Sequence, residues 1–149
     1  MQIIFTSQHR VRSWYLLAFL VTMAAGLASR KYSVALPSIL GKYPGDVLWA
    51  LMVFFGMGMI FNNATTFFLG STSLAFAFGI EFLKLCSSPW LSHLRHTTLG
   101  HLVFGHVFSW QNLVAYFIGV FIGMVLDAAI LHRQASSVTY NRTLGQTNV

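Results

Sequence analysis

The sequence predicts an all-α integral membrane protein, a single membrane domain over residues 1–149 with four transmembrane helices plus a short interfacial or re-entrant helix. Three observations carry this prediction. The chain is 56% hydrophobic and 8% charged, against about 25% charged residues in soluble domains. Its apolar runs are framed by Arg, Lys, Trp and Tyr, as expected where hydrocarbon penalises charge and the headgroup layer favours amphipathic rings. Asp46, Glu81 and Asp127 are the three acidic residues of the whole chain, so each carboxylate has to be explained against an apolar background.

The first apolar run, about 14–28, follows Arg10 and Arg12 and ends at Ser29-Arg30-Lys31. A cleaved signal peptide competes with a retained helix, because Gly26-Leu27-Ala28 offers small residues and the two arginines resemble a leader's basic start. The run's length, its Trp14-Tyr15 interfacial anchor and the spans that follow favour retention. Ala18, Thr22 and Gly26 recur every fourth position and make a small face for close packing.

Lys31 to Gly45 is polar, with Pro37, Gly41, Pro44 and Gly45 as breakers. The second span, 47–61, reaches about 22 Å at 1.5 Å per residue, short for a ~30 Å core. Asn62 to Thr66 forms the turn into the third span, 67–85. Small residues make two stripes there, Ser71-Ala75-Gly79 and Ser73-Ala77-Glu81.

From Leu99 to Leu131 one continuous helix would measure about 50 Å, too long for a bilayer. Ser109-Trp110-Gln111-Asn112 supplies a break. Residues 94–108 are therefore expected as an interfacial or re-entrant helix and 113–131 as the fourth span, followed by a flexible polar tail over 134–149. Re-entrant backbone needs protein or a wet cavity around it. In the fourth span Ala115, Gly119 and Gly123 fall at i, i+4 and i+8, and Asp127 continues the stripe. Such spacing brings another backbone close, either within the chain, in a homo-oligomer, or in a partner membrane helix.

The positive charge, +6 formally, does not indicate nucleic acid, because the cations sit at the edges of apolar runs rather than on one basic face. They flank the lipid bilayer, which is the expected partner. Cys86 is the lone cysteine, so no intrachain disulfide forms. His96, His101 and His106 are five apart, about 140° around a helix, so successive rings diverge and no metal site is expected. No phosphate loop, dinucleotide fingerprint or zinc-protease motif is present, and no cofactor is expected.

Threading four helices puts Asp46, Glu81 and Arg95 on one membrane side and Asp127 toward the other. Glu81, about a turn inside a span end, needs a partner. Arg95 is the candidate from the re-entrant segment, and Lys84 is the local alternative at i+3. Asp46 reads either as a helix N-cap, worth about 1 kcal/mol, or as part of a polar site with Glu81 and Arg95. Lys42, four residues earlier, and Trp49, at the interface, would support it. A thiol enzyme combining Cys86, Arg95 and His101 or His106 is conceivable, but the inventory leans away from an enzyme.

Gly45-Asp46-Val47-Leu48-Trp49, then Glu81, Pro89-Trp90, Arg95, Gly105, Phe108-Ser109-Trp110 and Tyr116 with Gly119 resemble a bacterial membrane-protein family known as domain of unknown function 2809. The chain resembles VanZ-type membrane proteins more loosely. Lys84 and Asn112 depart from that pattern, where glutamine and aspartate are expected, which weakens a proton-relay role for the later loop. The resemblance implies a multi-pass protein of the bacterial inner (cytoplasmic) membrane without an established activity, with envelope-associated binding or resistance as the associated role. The alternatives are a small transporter or channel subunit, or a membrane-embedded enzyme using the Cys86 thiol or the acidic pair.

Overall fold

The computed structural model describes residues 10–31, 38–86 and 107–146, with 89, 93, 96, 97 and 100; in 38–42 and 132–146 it describes backbone alone. Four helices run in order: α1 Arg12–Lys31, α2 Ser38–Ile60, α3 Thr66–Leu83 and α4 Trp110–Gln146. All four are long and apolar enough to cross a membrane, and no strand occurs among the described residues. The expected all-α membrane fold is the observed one, while the segment expected as the extra short helix lies mostly outside the described residues.

α2 is the central element. It packs against α1 on one side and α4 on the other, while α3 lies against α4 and, less extensively, α2. The stripe of small residues on α4 explains the closest contact. A methyl group on Gly119 would collide with the Val47 carbonyl and lie 2.9 Å from the Ala50 Cβ, and one on Gly123 would lie 2.7 Å from the Phe54 ring. The partner of Ala115, Gly119 and Gly123 is therefore α2 of the same chain, and their small size lets the two backbones touch. Phe54, Ala50, Leu69, Ala77, Tyr116 and Val120 form the core where these helices meet.

α1 is more weakly embedded: Tyr15 and Thr22 are its buried residues. Its small face turns toward α2, where a methyl on Gly26 would lie 3.7 Å from the Leu48 Cβ. Thr22 satisfies its hydroxyl on the Ala18 carbonyl at 2.8 Å, so the polar atom costs little in hydrocarbon. Thr65 caps α3 by accepting from the Phe68 amide at 3.1 Å, which meets one of the donors a helix start leaves open.

Two differences from the sequence reading have physical causes. α2 begins at Ser38 and runs through Pro44, so Asp46 lies inside the helix and is not its N-cap. Proline interrupts one ladder bond, and membrane helices tolerate this where neighbours or interfacial water meet the freed carbonyl. α4 likewise does not end at Leu131 but continues to Gln146, across the stretch expected as a flexible tail. Extending a formed helix avoids the nucleation cost, so moderate propensity is enough to carry it into the aqueous phase. Most of the 94–108 segment, Arg95 included, lies outside the described residues.

Candidate functional site

Each end of the bundle contains a buried carboxylate that receives four hydrogen bonds. At the end where α3 finishes and α4 begins, that carboxylate is Glu81, which is 0% exposed. Oε1 accepts from the Ser109 amide at 2.8 Å and the Asn112 side-chain amide at 3.1 Å. Oε2 accepts from Lys84 Nζ at 2.6 Å and the Tyr116 hydroxyl at 2.8 Å. The ion-pair partner is thus Lys84, one turn along the same helix. The other three donors come from the start of α4, so Glu81 ties together the two ends of the connection between α3 and α4.

Asp46 lies at the same end of the bundle, with the Arg30 guanidinium 3.7 Å from its Oδ1. That pair joins the end of α1 to α2. The close approach uses Gly45, where a methyl would lie 3.2 Å from Ser29 Oγ and 3.4 Å from Arg30 Cγ. One turn beyond Asp46 on α2, Trp49 packs on Tyr116 with ring centroids 5.2 Å apart and planes tilted by 45°. Because Tyr116 donates to Glu81, this aromatic pair connects the Asp46 turn with the Glu81 cluster.

Asn112 carries an acceptor in this region that no described donor meets. Asn112 is 3% exposed, its amide nitrogen is committed to Glu81, and its Oδ1 has no hydrogen-bond partner among the described residues. The carboxylate fixes which end of the amide faces it, so the remaining atom can only accept. A buried acceptor without a donor costs about 1–3 kcal/mol.

At the opposite end, Asp127 is held by Arg10, a residue that the sequence reading treated as a membrane flank. Arg10 Nε donates to Oδ1 at 2.8 Å and Nη2 to Oδ2 at 2.6 Å, a bidentate pair with both side chains at 0% exposure. Nη2 also donates to Thr66 Oγ1 at 3.2 Å, and Nη1 donates to the carbonyls of Asn62 and Ala64. Those bonds use all five N–H groups of the guanidinium. Tyr15 OH and Thr66 Oγ1 complete the acceptor side of Asp127. Burial works against the Arg10 charge, but the hydrogen bonds and charge of Asp127 outweigh it and hold the guanidinium above the ordinary arginine pKa. Gly58 makes room for this arrangement, since a methyl there would lie 2.5 Å from the Tyr15 ring.

The structure thus brings Asp46, Trp49, Glu81 and Lys84 to one end of the bundle. Lys42 falls on α2 where backbone alone is described, and Arg95 lies outside the described residues. Sequence reasoning missed Asn112 and Tyr116 as partners of Glu81, and Arg10, Tyr15 and Thr66 as partners of Asp127. For Asp127 a signal existed: an aspartate one turn inside a span requires a cation, and threading places Arg10 on its side of the membrane. Cys86 is exposed, and no group of metal-ligating side chains occurs among the described residues.

Four apolar helices pinned at both ends by buried carboxylates define a small multi-pass membrane protein. Residues 35–120 match the model of the family described as protein of unknown function (DUF2809), and the chain belongs to that family. No solved structure matches it.

Proposed function

We propose that the chain is a non-catalytic binding protein of the bacterial inner membrane, and that the end carrying Asp46 and Glu81 engages an envelope component bearing hydroxyl and phosphate groups. The observation behind this reading is the open Asn112 Oδ1, buried beside Glu81 and able only to accept. A ligand hydroxyl would supply the missing donor. Exposed Lys31 and part-exposed Arg30 lie at the same end and suit a phosphate. Lys42 and Arg95 would add to that charge. The looser VanZ-type resemblance supports an envelope setting.

Glu81 itself acts as a pin in this proposal. A carboxylate with four donors has no lone pair in reserve for proton abstraction, so acid or base chemistry would first have to dismantle the cluster. The transporter alternative has less support, because the described cavities between α1 and α4 and between α3 and α4 are lined by apolar side chains. A thiol mechanism would need His101 or His106, both outside the described residues.

The test is growth under envelope-targeting compounds, comparing wild type with Asp46→Asn, Glu81→Gln, Arg95→Ala and Asn112→Leu at matched membrane abundance. Altered sensitivity in Asn112→Leu and Arg95→Ala is expected. If all four variants grow like wild type under every compound, the binding reading is wrong.

A further inference from the structure

The backbones of α1 and α4 stay apart along the side of α2, and among the described residues Arg10 and Tyr15 are the side chains hydrogen-bonded across to α4 at Asp127. The space between them is a groove of about 590 Å³ with Phe55 of α2 in its wall, lined by Trp14, Leu17 and Val21 from α1 and Leu126 and Ile130 from α4. Its lining is apolar and lies inside the candidate spans. From Trp14 to Val21 the groove follows α1 for about 10 Å, compared with about 15 Å for one leaflet of a ~30 Å core. It lies toward the end of the bundle where α1 starts, with exposed Arg12 as the first helical residue.

The charge inventory says what sits above it. The chain has three acidic residues, and each already faces a cation: Asp127 faces Arg10, Asp46 faces Arg30, and Glu81 faces Lys84. No carboxylate side chain remains for Arg12. Its counter-charge must come from outside the protein's acidic side chains, and at a membrane surface the anion present at that depth is the lipid phosphate. We propose that this groove holds an acyl chain of an anionic phospholipid whose headgroup lies near Arg12, as a retained lipid distinct from the exchanging boundary layer.

The test uses the full chain in vesicles with Trp14 as the reporter, the other tryptophans being replaced (Trp49→Phe, Trp90→Phe, Trp110→Phe). Quenching is measured with chain-brominated phosphatidylglycerol or chain-brominated phosphatidylcholine, titrated into unlabelled phosphatidylcholine. Half-quenching by the brominated phosphatidylglycerol is expected at about fivefold lower mole fraction, the factor for one basic residue at an anionic surface. Arg12→Gln, an exposed change that leaves the bundle intact, should bring the two lipids to parity, and Val21→Phe should do so by filling the groove. A protein keeping Trp110 alone, which is 71% exposed at the other end, should show no preference. Equal quenching of Trp14 by both lipids before any groove substitution overturns the proposal. So does protection of Trp14 from both lipids with concentration-dependent crosslinking between copies, which would make a second copy the occupant.

Discussion

Replacing Arg10 with methionine should be among the most damaging single changes in the chain, although it removes a residue outside every helix. Both partners of the Arg10–Asp127 pair are fully buried, at 2.6 Å and 2.8 Å. The substitution strips two of the four hydrogen bonds from a carboxylate that cannot reach water, leaving Tyr15 and Thr66 as its donors. It also frees the Ala64 carbonyl at the turn between α2 and α3 and leaves the Asn62 carbonyl with the Arg10 backbone amide as its donor. Breaking a buried pair from one side costs about 3–5 kcal/mol, mostly the penalty of the orphaned charge. Removing both charges, Arg10→Met with Asp127→Leu, replaces the pair by apolar groups in an apolar setting and should recover at least half of that loss. The assay is a double-mutant cycle, using reversible unfolding of the four proteins in mixed micelles. A coupling energy of about 2 kcal/mol or more is expected. Additive losses within about 0.5 kcal/mol would refute the reasoning, since the two side chains would then not depend on each other.

Gly119→Ala places a methyl against the Val47 carbonyl and the Ala50 Cβ, where neither backbone can yield cheaply. A loss of about 1–3 kcal/mol should appear in micelle unfolding. Gly79→Ala is the matched control, because that methyl meets nothing within 4 Å; stability should stay within about 0.5 kcal/mol. Tyr116→Phe removes one hydrogen bond to the Glu81 carboxylate and should cost about 1.5–3 kcal/mol in the same assay, with Trp49 fluorescence reporting whether its aromatic neighbour stays in place. Deleting residues 1–31 takes away Arg10 and Tyr15 together. The remaining spans should then fail to accumulate in the membrane, and wild-type levels on immunoblotting would contradict the role given to the Asp127 cluster.

What could be read from the sequence follows from how local each cause is. The four apolar runs were legible because hydrocarbon imposes length and composition on each span independently of the others. Lys84 was legible as a partner of Glu81 because i+3 spacing is a property of one helix. The stripe of Ala115, Gly119 and Gly123 identified a contact surface, while its partner, α2, depended on how the helices assemble. Ser109, Asn112 and Tyr116 were invisible as donors, because a connection of more than twenty residues separates them from Glu81 and its return path leaves no periodic trace. Pro44 misled by a soluble-protein rule: breakers locate turns well in water, but a helix near a membrane face runs through a proline once its neighbours take up the freed carbonyl.

The Arg10–Asp127 pair also has a meaning in time. The two residues are separated by 117 positions, so Arg10 is made well before Asp127, which arrives with α4. Until then the arginine lacks the carboxylate that it pairs with in the folded chain. Packing of α4 brings the aspartate to the arginine, and the pair ties the residues that lead into α1 to α4. A chain stalled or cut before Asp127 therefore cannot close its bundle, and it leaves an unsatisfied cation and a loose first helix that distinguish it from a finished molecule.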